Sequence, residues 1–174
     1  IINTSLENAL KGIAILKKTN HPNIVKLYEI LYSTKNSKIY LVLEYCEHGE
    51  LIQYNPDENK FYLNEHIGYD YKISHNKEEY IDPELIFYTE KKIFQFAYGI
   101  MSALNYLHNN GIIHRDIKPN NILLDRHNNC KITDFNVSSI LSNLNQDNIG
   151  QKVECNDYFC PPEACRLTIE EDEE

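Results

Sequence analysis

Residues 114–121 read HRDIKPNN, and this octapeptide is the strongest single indication of the fold in the chain. Within it, Asp116 supplies a carboxylate, Lys118 an ammonium group and Asn121 a carboxamide. A tight loop can turn these three groups toward one small volume. That volume would offer a base for a hydroxyl group, a cation for a transferring phosphate and an oxygen ligand for Mg²⁺. The octapeptide therefore predicts a loop that handles phosphate chemistry.

A second carboxylate, Asp134, follows eighteen residues after Asp116 and is itself followed by Phe135. The short stretch at 131–133, with Ile132 at its centre, predicts a strand directly before Asp134. Oxygen ligands on two loops that a hairpin connects can hold the hard, octahedral Mg²⁺ that accompanies nucleotide phosphates. The spacing therefore adds Asp134 to the predicted phosphate-handling loop.

The octapeptide and the Asp134-Phe135 pair together resemble the protein kinase family of the serine/threonine type. The resemblance implies that Asp116 is the catalytic base and that Lys118 steadies the γ-phosphate of ATP. It also implies that Asn121 and Asp134 bind Mg²⁺, so that ATP and Mg²⁺ are the expected cofactors. The implied activity is transfer of the γ-phosphate to serine or threonine of a protein substrate.

The fold class implied by the resemblance is α+β, a two-lobed protein-kinase-like fold that is incomplete in this segment. Residues 1–43 are expected to be the remainder of the N-lobe and residues 44–51 the hinge. Residues 52–82 are interpreted as a surface insertion because their composition is polar and their periodicity weak. Residues 83–174 would begin the helical C-lobe, and the family's glycine-rich phosphate loop and ATP-anchoring lysine would precede this segment.

The nucleotide site is expected at residues 40–46, which resemble the last N-lobe strand and the hinge. Leu43 falls at the gatekeeper position, and the backbone at Glu44 and Cys46 would hydrogen-bond the adenine. Glu50 matches a position that binds the ribose hydroxyls, with an ordinary exposed glutamate as the alternative.

An apolar floor to that site is implied at Leu123, which falls where the family packs a side chain beneath the adenine. Four further positions match the stacked side chains that couple the two lobes of the family, with plain core packing as the alternative: Leu16, Leu27, His114 and Phe135.

Periodicity predicts the main elements around these motifs. A short amphipathic helix is expected over 10–18, and strands over 24–32 and 38–44 are expected to form a hairpin. A long helix with one buried face is predicted by apolar residues spaced three and four apart. Those residues are Ile93, Phe96, Ala97, Ile100, Ala103, Leu104 and Leu107.

Departures from the family pattern favour an alternative, a pseudokinase or scaffold. Gly12 occupies the place of the helix glutamate that pairs with the strand lysine, and Asn136 stands where the family has glycine. Cys155 and Asn156 replace the Gly-Thr of the substrate-facing loop. Asn136 is expected to preserve its turn in a left-handed conformation. A truncated product that neither folds nor binds ATP is the third hypothesis.

The composition of the chain disfavours two classes of partner, nucleic acids and membranes. A net charge of −9 disfavours a nucleic-acid partner, and the absence of a long apolar run disfavours a membrane. Five cysteines without a secretory signal favour a reduced, cytoplasmic protein. Three of them recur every fifth residue from Cys155, a spacing that does not match a zinc site.

The expected partner is a protein substrate, with another kinase among the candidates. Within the family the likeness is greatest to calcium/calmodulin-dependent protein kinase kinases, carried by residues 13–18, 21–23, 114–119 and 131–138. Calmodulin is compatible with that likeness, but no stretch of the chain indicates it. Candidate sites of phosphorylation are Ser138, Ser139 and Ser142. The Arg115 side chain would bind the phosphate group of the phosphorylated serine.

Overall fold

The computed structural model describes residues 4–33, 35, 38–55, 60–64, 88–140 and 159. These residues divide into two compact units. The first unit takes its described residues from 4–19, 104–118, 134–140 and 159, and the second takes them from 20–103 and 119–133. Cys155, Cys160, Cys165, Asn156 and Ser142 lie outside the described residues.

Helix α1 spans Thr4–Lys18 and is longer than the sequence pattern predicts. Lys17 and Lys18 lie in its last turn, where positive charge complements the helix dipole. The Thr19 backbone N–H donates to the Ile15 carbonyl, and its hydroxyl donates to the Leu16 carbonyl at 3.0 Å. These bonds satisfy carbonyl groups that the helix end would leave without a partner.

The buried face of α1 differs from the predicted one. Ile15 and Leu16 are buried, whereas Leu10 is 47% exposed. Leu10, one of the apolar residues on which the amphipathic helix was predicted, therefore lies on the outer face, because the helix turns Gly12, Ile15 and Leu16 inward.

Helix α2 spans Glu90–Asn109 and begins at a threonine cap, in which the Lys92 N–H donates to the Thr89 hydroxyl at 3.3 Å. It ends at Asn109 and is followed by Gly111, whose φ of 69° suits glycine after a helix C-terminus. Ile93 is 53% exposed and Ala97 is also exposed, so the predicted stripe is wrong at these two positions. The buried residues of α2 are Phe96, Gly99, Ala103 and Leu107.

Strands β1 (Leu27–Ser33) and β2 (Lys38–Leu43) form the predicted antiparallel hairpin. Leu31 pairs with Tyr40, and the register shifts between Leu27 and Glu29. Large apolar side chains on both faces of this hairpin are exposed. They are Tyr28, Ile30, Leu31, Tyr32, Ile39, Tyr40, Leu41 and Val42.

A three-stranded antiparallel sheet of β3 (Gly49–Glu50), β7 (Ile122–Leu124) and β8 (Cys130–Ile132) carries the core of the second unit. The strands lie in the order β3, β7, β8, so Leu123 pairs with Glu50 on one side and with Lys131 on the other. Leu124 and Ile132 are fully buried.

The insertion predicted over 52–82 begins with regular structure. Strands β4 (Ile52–Asn55) and β5 (Lys60–Leu63) pair as an antiparallel hairpin. The predicted surface insertion therefore contains strands at residues 52–55 and 60–63, which its weak periodicity did not indicate. The sequence around the turn is polar and carries weak alternation, whereas strand pairing depends on backbone groups that periodicity does not report.

In the first unit, β6 (Ile112–Ile113) pairs with β9 (Ser139–Ile140) in an antiparallel ladder. Ile112 is buried beside His114, the first residue of the octapeptide. The ladder therefore joins the start of the catalytic-loop sequence to the segment that follows Asp134.

Two described cysteines are expected to resist modification. Burial raises the pKa of Cys46 to about 11 and that of Cys130 to about 12, with the Glu44 carboxylate adding to the effect at Cys46. We expect both thiols to escape iodoacetamide at pH 8 in the folded protein and to react after unfolding in urea, because the thiolate is the reactive form. Mass-spectrometric mapping of the labelled residues checks this.

The same two thiols predict a loss of stability in alkali. Each pKa is raised above the 9.0 of an unperturbed thiol. Their contribution to stability is complete below pH 9 and is lost as the pH rises through 11 and 12. Replacing Cys130 by alanine should flatten the decline in denaturation midpoint across this window. An unchanged decline would contradict the assignment.

Candidate active site

Asp116 and Lys118 of the octapeptide form an ion pair in the first unit. Lys118 Nζ lies 2.7 Å from Asp116 Oδ2, and their side chains are 20% and 15% exposed. The pair is thus close enough for a charge-assisted hydrogen bond and is still open to solvent. The structure brings together the two residues that the sequence predicts as the base and the phosphate-steadying cation.

His114 anchors this loop in the core of the first unit. Its ring is 1% exposed and meets the Phe135 ring edge-on at 4.8 Å between centroids. The Asp116 N–H donates to His114 Nδ1 at 3.3 Å, and the Ser138 hydroxyl donates to the His114 carbonyl at 3.1 Å. These contacts hold the backbone before and at Asp116, so the carboxylate projects from a fixed loop.

Two residues of the site have left-handed backbones. Arg115 has φ of 70° and Asp134 has φ of 62°, an uncommon conformation outside glycine. Asn136, which the sequence analysis expected to be left-handed, is not among the residues with positive φ. The expectation is wrong because the sharp turn falls at Asp134, whose Oδ1 accepts the Asn136 N–H at 3.2 Å.

Helix α1 approaches the segment after Asp134 more closely than any side chain at position 12 would allow. A Cβ atom built on Gly12 would lie 2.8 Å from the Phe135 carbonyl oxygen and 3.3 Å from Asn136 Cα. Both neighbours are backbone atoms. Gly12 is therefore required by packing in this conformation, a role that the sequence comparison with the family did not indicate.

The candidate phosphate acceptor Ser138 is buried and donates to the His114 carbonyl. Its hydroxyl is thus enclosed in the folded structure, and the interpretation of Ser138 as a phosphorylation site is wrong for this conformation. The hydroxyl oxygen of Ser139 is also buried.

The predicted hinge residue Glu44 is the centre of a polar cluster in the second unit. Its Oε1 lies 2.6 Å from Lys131 Nζ, and its Oε2 accepts the Lys26 N–H at 3.1 Å. The Glu44 N–H in turn donates to the Lys26 carbonyl at 2.8 Å. Both carboxylate oxygens and the backbone of Glu44 are therefore engaged, which restrains the start of the predicted hinge.

Lys131 is a residue that the sequence analysis missed. It lies between the buried residues Cys130 and Ile132 on β8 and is itself buried. A lysine inside a buried strand requires a negative partner, since an unpaired buried charge is costly. Its position between apolar neighbours could have indicated such a pair, but the partner Glu44 is distant in sequence and only tertiary folding identifies it.

Replacing Lys131 by methionine is expected to lower the free energy of unfolding by about 1–2 kcal/mol, between the values for surface pairs and for fully buried pairs. The loss follows because the Glu44 carboxylate would stay part-buried without its cation. Urea denaturation of wild type, Lys131→Met, Glu44→Gln and the double variant measures the coupling. Additive effects of the two substitutions would contradict the pair.

The remaining nucleotide-site candidates of the second unit flank β3 and β7. Glu50 is half-buried, and its Oε2 accepts the Asn120 amide at 2.9 Å, so it is not the freely exposed glutamate of the alternative interpretation. Leu123 pairs with Glu50 and is half-buried. The carbonyl of Cys46 accepts the Gly49 N–H at 3.1 Å and so belongs to the turn before β3.

The gatekeeper candidate Leu43 ends β2, is half-buried and pairs with Leu27.

Asn121 is buried in the short 3₁₀ turn Pro119–Asn121, and its carbonyl accepts the Thr133 N–H at 3.0 Å. Asn121 belongs to the second unit and Asp134 to the first. Their shared role as Mg²⁺ ligands stays a prediction.

The donor types at Asn121 and Asp134 suit Mg²⁺, which takes oxygen ligands and keeps several waters alongside substrate phosphates. Among the residues that the structure describes, no three His, Cys, Asp or Glu side chains group as a dedicated metal cage. The described helices also include none that is long and apolar enough to cross a membrane.

Comparison with known proteins identifies the family. The protein kinase domain profile matches residues 2–172. SNF1-activating kinase 1 of Saccharomyces cerevisiae is 36% identical over 144 residues, 83% of this chain and 11% of that protein. Serine/threonine-protein kinase ssp1 of Schizosaccharomyces pombe is 36% identical over 162 residues, 91% of this chain and 21% of that protein.

A plant relative extends the comparison. CBL-interacting serine/threonine-protein kinase 2 of Arabidopsis thaliana is 33% identical over 139 residues, 80% of this chain and 24% of that protein. The chain thus spans 11% to 24% of the length of these relatives. The profile match over nearly the whole chain confirms the family and fold class suggested by the octapeptide and by Asp134-Phe135. The chain belongs to the protein kinase family and carries part of a mixed α and β protein kinase domain.

Proposed function

We propose that this chain is the ATP- and Mg²⁺-dependent catalytic segment of a serine/threonine protein kinase. The observation that carries the proposal is the Asp116–Lys118 ion pair at 2.7 Å, held on a loop whose His114 is buried. The names of two relatives, the plant kinase and ssp1, support the serine/threonine class. Lys118 also belongs to the pattern that resembles kinases of that class.

In the proposed reaction, Asp116 Oδ accepts the proton of the substrate hydroxyl as that oxygen attacks the γ-phosphorus. Lys118 stabilises the negative charge on the transferring phosphoryl group, and the bond to the leaving ADP oxygen breaks. Catalysis of this kind depends mainly on positioning and charge stabilisation. The buried His114 ring and the Ser138 bond supply that positioning for Asp116.

The nucleotide is proposed to use the second unit, with Leu43, Glu44, Cys46, Glu50 and Leu123 around the adenine and ribose. When bound, Mg²⁺ supplies charge neutralisation at the phosphates. Asn121 and Asp134 would hold it through one carboxamide and one carboxylate oxygen donor, together with water and phosphate. The Asn120 bond to Glu50 supports an oriented carboxylate for the ribose.

The test is phosphate transfer by the full-length protein to a serine/threonine peptide library, with ATP and with or without Mg²⁺. Labelled phosphoserine or phosphothreonine that depends on Mg²⁺ and Asp116 would support the proposal. Transfer that persists undiminished in an Asp116→Asn variant would overturn it.

A second candidate, a pseudokinase, is favoured by the packing at Gly12. The 2.8 Å approach of a Cβ to the Phe135 carbonyl leaves no room for the family's helix glutamate in this conformation. A pseudokinase that binds nucleotide would show ATP-induced thermal stabilisation without phosphate transfer. Turnover by the wild-type protein would exclude it.

The substrate proposed is a protein, with another protein kinase as the first candidate. The name of one relative, SNF1-activating kinase 1, describes a kinase that activates SNF1. A cytoplasmic location and the finer likeness to calcium/calmodulin-dependent protein kinase kinases remain predictions from the sequence. Incubation with a catalytically inactive kinase as acceptor, followed by phosphosite mapping, tests the substrate class.

A further inference from the structure

The insertion supplies a buried amide that holds the segment 48–51. Asn64, directly after β5, is 2% exposed. Its Nδ2 donates to the His48 carbonyl at 2.5 Å and to the Glu50 carbonyl at 2.7 Å. Both hydrogens of one amide nitrogen thus span the two residues that flank Gly49.

Tyr88, which precedes α2, completes this contact from the other end of the intervening chain. Its hydroxyl accepts the Asn64 N–H at 3.1 Å and donates to the Leu51 carbonyl at 2.6 Å. Burial raises the pKa of Tyr88, consistent with a neutral hydroxyl that donates. We call Asn64 and Tyr88 the insertion neck.

The opposite edge of the segment 48–51 is held by β7. The His48 N–H donates to the Leu124 carbonyl at 3.1 Å, and the Leu51 N–H donates to the Ile122 carbonyl at 2.8 Å. N–H groups therefore bind the sheet, while carbonyl groups bind the insertion neck. Hydrogen bonds therefore hold the backbone of the segment 48–51 on both edges, a restraint that we call the clamp. Glu50 lies within this restrained segment.

Gly49 makes the clamp necessary. Its φ of 68° is a left-handed turn next to Glu50, and a Cβ there would have no neighbour within 4 Å. Glycine has a wide choice of backbone conformations, so an unclamped Gly49 would leave the direction of the Glu50 side chain poorly determined. The Asn64 amide bonds the carbonyls on both sides of this flexible residue and so restricts it.

We propose that Asn64 is a positioning residue for nucleotide recognition, acting through the backbone of 48–51 to aim the Glu50 carboxylate at the ribose hydroxyls. The inference rests on the proposed function and assigns to the insertion a part in it. Asn120 holds the carboxylate itself, and Asn64 holds the backbone that carries it. The insertion thereby contributes to ATP binding without touching the nucleotide.

A positioning role of Asn64 is distinguished from a merely structural role by whether its effect on nucleotide affinity depends on the ribose hydroxyls. A residue that only stabilises the fold affects all nucleotides alike, whereas one that aims Glu50 affects only ligands with ribose hydroxyls. Hydrogen bonds to a charged group commonly contribute about tenfold in affinity. The ratio of the Kd values for 2′,3′-dideoxyATP and ATP therefore reports the aim of Glu50.

The experiment measures both Kd values by calorimetry on the full-length protein and on its Asn64→Asp variant. We expect wild type to prefer ATP by about tenfold, and Asn64→Asp to prefer it by less than about twofold, because a carboxylate cannot donate to two carbonyls. The matched control is Asn129→Asp on the exposed β7–β8 turn, which should keep the tenfold preference.

A Tyr88→Phe variant removes one hydroxyl from the insertion neck and keeps the proposal testable should Asn64→Asp fail to melt cooperatively. Its preference for ATP is expected to fall at least about twofold. An unchanged preference in a folded Asn64→Asp protein, or in Tyr88→Phe, would overturn the inference and leave the kinase proposal intact. A wild type without preference would do the same, whereas a wild type that does not bind ATP would overturn both.

Discussion

Replacing Asp116 by asparagine is expected to lower kcat of the full-length protein by at least about 100-fold, the lower end of what a general base contributes. Asparagine preserves the size of the side chain and can still accept from Lys118, so the loop should keep its shape. It cannot take the proton of the substrate hydroxyl. The loss is therefore expected in kcat, with the KM for ATP changed by less than about threefold, because only a transition-state interaction is removed.

The measurement is a steady-state assay of phosphate transfer with ATP varied. Asp125→Asn is the matched control: Asp125 accepts the His127 and Asn129 N–H groups in the β7–β8 turn and has no proposed catalytic role. It should retain kcat within about twofold, because the amide oxygen of asparagine can still accept those two N–H groups and keep the turn in place. An Asp116→Asn protein that retains a third of wild-type activity would refute Asp116 as the base.

Replacing Gly12 by alanine is expected to destabilise the protein by roughly 2 kcal/mol, within the range for overpacking. Helix propensity alone predicts the opposite, a gain of about 1 kcal/mol from removing glycine. The sign is decided by contact, because the new Cβ would lie 2.8 Å from the Phe135 carbonyl oxygen. A backbone oxygen cannot rotate away as a flexible side chain could, so α1 or the segment after Asp134 must move.

The matched control is the opposite substitution, alanine to glycine, at Ala14 on the exposed face of α1. Ala14→Gly should cost about 1 kcal/mol through propensity alone. Gly12→Glu, which restores the family's residue, should cost at least as much as Gly12→Ala. Urea denaturation midpoints compare the three variants. A Gly12→Ala protein more stable than wild type would show that α1 does not pack against Phe135 as described.

The Gly12 result bears on how departures from a family pattern are interpreted. By sequence comparison, glycine in the place of glutamate indicates a lost ion pair and a defective kinase. By geometry, the same glycine permits contact between α1 and the backbone of 135–136. Only activity measurements on the full-length protein separate a packing adaptation from a loss of function.

Local chemistry made much of this protein predictable. The octapeptide 114–121 and the Asp134-Phe135 pair indicated the protein kinase family, which the profile match confirmed. The β1–β2 hairpin and the long helix α2 followed from hydrophobic patterns that are short-range properties of the chain. The proximity of Asp116 and Lys118 could also be predicted from the sequence. The two residues are separated by one position on a tight loop, so their side chains can reach the same small volume.

Other features depended on contacts between residues far apart in sequence. Lys131 pairs with Glu44 across 87 positions, and the Asn64 amide reaches His48 and Glu50 across 16 and 14. The close approach of Gly12 to the backbone of Phe135 belongs to the same class. Periodicity and motifs describe each segment by itself, whereas burial and hydrogen-bond pairing are settled by which segments meet. Sequence was thus sufficient for the family and the candidate base, and tertiary structure revealed the groups that hold Glu44, Glu50 and Asp116 in place.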